Sequence, residues 1–228
     1  MDLRHRFRRA LLAAFTIVCA ACVLAPGLAQ AGTLDQQQTA IFSGAYSIGT
    51  NQAVAQTFTA GLTGKIDQVD LHIDKSAGTT ADLTVEIRSV SGIAPADTAL
   101  ASTSVPASAI SVSSAFVPVT FASQASVVAG TQYAIVASST TPVSDTYSWT
   151  ESPTPAPYAG GGVFYKPPPP TGSWASVTAR DLAFRTYVVL PPVPAATGQR
   201  AAALKKCKKK RSRHKRKKCR TRAKKLPL

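Results

Sequence analysis

Side chains able to do chemistry are sparse between positions 32 and 189. One histidine, His72, stands in that stretch, with Asp70 and Asp74 two residues to either side. Residues two apart on a strand share a face. The three can therefore form a His/Asp metal site or a base oriented by a carboxylate, as a secreted hydrolase would need. The simpler reading is a polar strand face turned to water. The stretch has no G-x-S-x-G elbow, no H-E-x-x-H pair and no cysteine. Glu86 and Glu151 are its only glutamates, and nothing in their placement marks a glycosidase pair. These residues point to a protein that is not an enzyme and carries no cofactor. Calcium is the one ion the composition favours, because oxygen ligands are available and soft ones are not. Asp67, Asp97, Asp145 and Asp181 fall near expected strand ends, where a structural ion could sit, though no loop has dense D-x-D spacing.

Aromatic residues offer a different chemistry. Tyr147, Trp149, Tyr158, Phe164, Tyr165 and Trp174 crowd into 28 positions, and both tryptophans are among them. Rings on a loop surface can stack on sugar faces, so Tyr147, Trp149, Tyr158, Tyr165 and Trp174 form a candidate platform for a carbohydrate-binding module. The alternative is that they plug the end of the fold under a proline-rich loop.

The strongest chemical signal is at the C-terminus. Lys205, Lys206, Lys208, Lys209, Lys210, Arg211, Arg213, Lys215, Arg216, Lys217, Lys218, Arg220, Arg222, Lys224 and Lys225 share residues 201–228 with no acid at all. So dense a run of like charge predicts a disordered tail that binds polyanions. Cys207 and Cys219 lie within it and can pair with each other or between chains. Zinc held by Cys207, His214 and Cys219 is disfavoured, because the surrounding charge repels a dication.

The compartment comes from the other end. Arg4, Arg6, Arg8 and Arg9 precede an apolar run from Ala10 to Leu24, and Ala29-Gln30-Ala31 places small residues at −3 and −1. This is the form of a secretory signal cut after Ala31. The apolar core of about 15 residues is short for a membrane span, which needs about 20. Arg8-Arg9 lacks the rest of a twin-arginine consensus, and Cys19-Ala-Ala-Cys22 is a poor lipoprotein box. Outside the cell the basic tail would meet acidic wall polymers, anionic lipid headgroups or, without sequence preference, extracellular nucleic acid. The formal charge of +15 belongs to the ends. Residues 32–200 carry 7 Lys/Arg against 10 Asp/Glu, which excludes a basic nucleic-acid-binding body.

The elements that hold these residues read as strands. Gln68–Asp74 alternates, with Val69, Leu71 and Ile73 on one face, and Asp82–Arg88 does the same with Leu83, Val85 and Ile87. Such a period of two means a sheet with one face on a core. Further strands are expected at 54–59, 100–105, 116–121, 132–137, 147–150, 163–165 and 181–189, separated by turn residues such as Ser91-Gly92 and Ala129-Gly130. The fold class is all-β, an antiparallel sandwich of jelly-roll type with a disordered basic tail. The expected organisation is a cleaved signal at 1–31, a sandwich at 32–189, a Pro/Ala-rich linker at 190–204 and the tail at 205–228.

A family likeness rests on ordered motifs. Val54–Gly61 (VAQTFTAG) is followed by Ile66–Leu71, Asp82–Arg88, Gly130–Val136 (GTQYAIV), Pro157–Gly161, Ser173-Trp174 and Asp181–Tyr187 (DLAFRTY). Over residues 35–189 the chain resembles the choice-of-anchor R domain of bacterial secreted and surface proteins. The resemblance implies a β-sandwich joined to a C-terminal anchor, without catalytic residues to carry over. An LPxTG motif and a C-terminal apolar span are missing, and the basic tail stands in the anchor's place. Pro167–Pro170 replaces a Ser/Asp/Gly-rich turn, which puts any ligand contact there in doubt.

Overall fold

A computed structural model of the chain describes residues 32–167, 172–192 and 198–226. The signal expected at 1–31 lies outside the described residues, as do Pro168–Pro170 and residues 193–197 of the expected linker. The described residues of the body form two antiparallel six-stranded sheets. The first sheet holds β1 (Thr33–Gln38), β2 (Ala45–Ile48), β4 (Gly64–Lys75), β7 (Ala115–Val127), β9 (Tyr147–Thr150) and β12 (Phe184–Val189). Its order is β1-β12-β4-β9-β2, with β7 also paired to β4. The second runs β11-β10-β3-β8-β5-β6, from β11 (Ala175–Val177), β10 (Val163–Lys166), β3 (Ala53–Thr59), β8 (Gln132–Ser139), β5 (Leu83–Ser91) and β6 (Ala94–Val105). Only the β5–β6 and β10–β11 links join neighbours within one sheet. Most other links cross between sheets, the winding that jelly-roll sandwiches share.

Alternation sets the core. Leu83, Val85 and Ile87 are fully buried, whereas Asp82 is exposed and Thr84 and Glu86 are partly so. On β4, Val69, Leu71 and Ile73 lie in the same core as Tyr147, Trp149, Phe58 and Phe184. Strand β4 is the hub. Leu71 pairs with Phe184 on one side and Val117 on the other, and further along Ile73 pairs with Trp149 and Ala115. Both ladders skip Asp67. This bulge lets Ile66 and Val69, three residues apart, both point inward. The turn glycines Gly92 and Gly130 adopt φ of 66° and 82°, conformations in which a side chain would be strained.

All nine expected strands are present, and three more join them. Strand β1 is polar along most of its length (TLDQQQ) and is held by its ladder to β12. Strands β2 and β11 have four and three residues. Each takes its conformation from a neighbour, which a window of sequence does not contain.

Candidate functional site

The C-terminal residues correct the expectation of disorder. Helix α1 spans Gln199–Lys208 and α2 spans Arg213–Ala223, and a Cys207–Cys219 disulfide with Cα atoms 5.5 Å apart ties them together. Lysine and arginine are good helix formers, so the composition permits helices once a cross-link offsets their repulsion. Cys207 and Ala223 are buried. The Arg200 guanidinium donates to the carbonyls of Lys224 (2.7 Å) and Leu226 (3.0 Å), capping the end of α2. The signal for the hairpin was present but slight: Ala203/Cys207 and Cys219/Ala223 are both four apart, one helical turn. The two thiols pair within the chain, which also removes them from any zinc site.

Every Lys and Arg from 205 to 225 is exposed. Lys208, Arg213, Arg216, Lys217, Arg220 and Lys224 surround one recess of the hairpin. A second recess has an apolar floor of Ala203, Cys207, Cys219 and Ala223, with Lys210, Lys215, Lys218 and Arg222 around it. No acid occurs in the first turn of either helix, and basic residues fill both last turns, where the helix dipole favours them.

The five aromatic candidates do not make one platform. Tyr147 and Trp149 are fully buried. The Tyr147 hydroxyl donates to the Ala81 carbonyl (2.6 Å) and the Trp149 indole to that of Ala183 (2.9 Å). Burial pushes the Tyr147 phenol up to about 12. Tyr158 is half-buried, stacked edge-on against Phe184, with its hydroxyl donating to Gln36. Tyr165 takes the face of β10 opposite Phe164 and Lys166. Trp174 packs beside Phe164 and Val136 on the outer side of the second sheet, with Lys166 Nζ 5.8 Å from its ring centre. It borders a groove of about 410 Å³ that Arg88, Ser138, Thr140 and Lys166 also line. Two rings cannot stack on any ligand because they are core, and the remaining three point to different surroundings.

The water-facing reading of His72 also needs correction, since His72 and Asp70 are both buried. The ring packs edge-on against Phe116, with centroids 5.0 Å apart, and Nδ1 lies 2.8 Å from the Thr150 hydroxyl. Burial chiefly, and the Arg185 charge, lower its pKa, while Asp74 acts the other way. Asp70 accepts hydrogen bonds from Gln68 (2.7 Å) and the Tyr187 hydroxyl (2.9 Å), and Arg185 approaches at 3.4 Å. Arg185 in turn covers the Phe116 ring at 3.9 Å. Arg185 and Tyr187 of β12 and Phe116 of β7 thus roof the polar face. His72 thus meets the buried Thr150 hydroxyl, and Asp70 is bound to groups other than His72.

The remaining carboxylates are dispersed. Glu86 pairs with Arg88 at 2.5 Å and Glu151 with Arg180 at 2.9 Å. Asp97 meets Lys166, Asp145 accepts from Ser144, and Asp67 accepts from the Gly32 amide. Among the described residues no three His, Cys, Asp or Glu side chains come together as ion ligands. Asp181 belongs to a buried network that sequence reasoning missed. It accepts from Gln56 Nε2 (3.1 Å) and the Tyr158 amide (2.9 Å), while Gln56 Oε1 accepts from the Leu182 amide (2.7 Å). Burial raises the Asp181 pKa despite these bonds. The network joins the VAQTF and DLAF motifs, which stand 125 residues apart. Compared with known proteins, the chain matches no family model, and no curated protein matches it significantly.

Proposed function

We propose that the chain is an exported, non-enzymatic surface protein whose β-sandwich is retained on anionic envelope polymers by the basic C-terminal hairpin. The observation that carries this reading is the segregation of charge. Fifteen Lys/Arg and no acid lie in residues 201–228, while the body is slightly acidic, and the hairpin presents all fifteen to solvent. The intrachain disulfide agrees with an oxidising compartment, as does the signal form of residues 1–31. The resemblance of residues 35–189 to choice-of-anchor R domains supports the same division into sandwich and anchor.

Near an anionic surface each Lys or Arg contributes about 1 kcal/mol. The two helices cannot turn all their charges to one surface, and six or seven contacts give a Kd on the order of 10 μM. The test is fractionation of cells expressing the full chain and a chain ending at Arg200. Truncation should release the protein to the medium, and about 1 M salt should extract the full chain, because charge is then screened beyond about 3 Å. A truncated protein that stays bound, or a full chain freed only by reductant, would overturn the proposal.

A second reading, sugar binding, is favoured by the groove beside Trp174. One partly exposed indole with Arg88, Lys166 and hydroxyls around it suits a single acidic sugar unit better than a long stacked chain. Glycan binding lost in Trp174→Ala while the hairpin is intact would favour it.

A further inference from the structure

Gly32, directly before β1, donates its backbone N–H to Asp67 Oδ2 at 3.0 Å. The other carboxylate oxygen, Oδ1, is buried and has no hydrogen-bond partner among the described residues. None of the ion pairs there includes Asp67. A buried acceptor left unpaired is costly, and more so when charged. The position of Asp67 is fixed, since both ladders of β4 skip it and the bulge aims its side chain toward the start of β1. Nothing larger than glycine fits opposite. A Cβ on residue 32 would stand 2.2 Å from Asp67 Oδ1 and 2.9 Å from Tyr187 Cβ.

The signal form of residues 1–31 places the cut between Ala31 and Gly32. We propose that Asp67 is the docking site for the chain terminus this cut creates, the free α-ammonium of Gly32. A signal peptidase adds water across the Ala31–Gly32 amide. The C–N bond breaks, the Ala31 carbonyl keeps the oxygen as a carboxylate, and the Gly32 nitrogen takes the protons as an ammonium group. One neutral donor becomes three donors with a full positive charge. The new group can serve Oδ1 as well as Oδ2, and it neutralises a carboxylate that had no cation. Processing therefore strengthens the hold on β1, an edge strand whose one ladder runs to β12. The inference rests on the cleavage reading and is independent of what the basic hairpin binds.

The experiment uses the processed chain 32–228 with a free amine and the same chain with Nα-acetylated Gly32, each with Asp67 and with Asp67→Asn. The free-amine Asp67 protein should melt about 4 °C above its acetylated form. In Asp67→Asn that gap should vanish. The Gly32 amine, followed by NMR, should titrate above the ordinary α-amino range of about 7.7–8.0. A raised pKa in the folded state means the gap is fully present near pH 7 and closes as pH rises through the raised value. Equal melting of the free and acetylated forms, a gap that survives Asp67→Asn, or an amine titrating at its ordinary value would overturn the proposal. So would a mass of the exported protein that places its first residue anywhere but Gly32.

Discussion

Trp149 and Trp174 are 25 residues apart in a stretch that could have been one ring platform, and replacing each in turn separates core from surface. Trp149 is fully buried between the sheets, so Trp149→Ala leaves a large cavity and should cost about 3–5 kcal/mol. The lost indole bond adds little. Its acceptor, the Ala183 carbonyl, keeps the His72 amide as a donor at 3.1 Å, so the loss belongs at the low end of about 0.5–1.5 kcal/mol. For a chain of this size each kcal/mol lowers Tm by about 2–4 °C, and Trp149→Ala should melt about 6–20 °C below the parent. Trp174 is partly exposed and its Nε1 has no partner to lose, so Trp174→Ala should cost about 1 kcal/mol. These are the chain's only tryptophans, which gives an independent optical check. The Trp174→Phe protein reports Trp149 alone, and its emission should be blue-shifted and resist acrylamide until the protein unfolds. Equal melting of the two alanine variants, or ready quenching of Trp149, would refute the assignment of Trp149 to the core.

Val85→Asp should destabilise by several kcal/mol in urea melts, as burial of an unpaired charge does, while Thr84→Asp should change stability by only about 0.5 kcal/mol; equal effects would mean β5 is in the other register. His72 has a lowered pKa, so the unfolded chain takes the proton first. Its contribution to stability is present above about pH 6.5 and is lost as pH falls through the lower folded value. A His72→Asn variant should lack that part of the pH slope seen in the parent by thermal melting. In the hairpin, α1 and α2 have 10 and 11 residues, lengths at which isolated helices are marginal. Arg213/Lys217, Arg216/Arg220 and Lys218/Arg222 are repulsive pairs four apart. Reduction of the disulfide should therefore lower the 222 nm circular dichroism at low salt, and an added polyanion should restore it. A helical signal indifferent to reductant would contradict that account.

The fold was readable where one strand carries its own instructions. Leu83, Val85 and Ile87 alternate because their sheet has one face on the core, and the same pattern exposes β4 from Gln68 onward. It breaks at Asp67 because a bulge there is specified by two neighbouring ladders. The polar β1 and the three-residue β11 have no pattern of their own, since each is an edge strand templated by its partner. The burial of His72 and Asp70 depended on Phe116, Arg185 and Tyr187, which come from two other strands and were invisible from β4 alone. For the aromatics, residue type was legible and placement was not, because Trp149 and Trp174 differ in what the two sheets bring over them. In the tail the charge was plain, but dense charge concealed two short helices whose main tie is one disulfide.

The central claim, that the hairpin binds polyanions by charge alone, is tested most directly by the salt dependence of its affinity for a defined polyanion. With a single-stranded oligonucleotide as the probe, six phosphate contacts give a slope of log K against log salt near −4 and roughly a 300-fold loss between 50 and 200 mM. The full processed chain should show that slope, and so should a variant with shuffled basic residues between fixed cysteines, whereas a chain ending at Arg200 should not bind. A slope near zero, or equal binding by the chain ending at Arg200, would contradict the account.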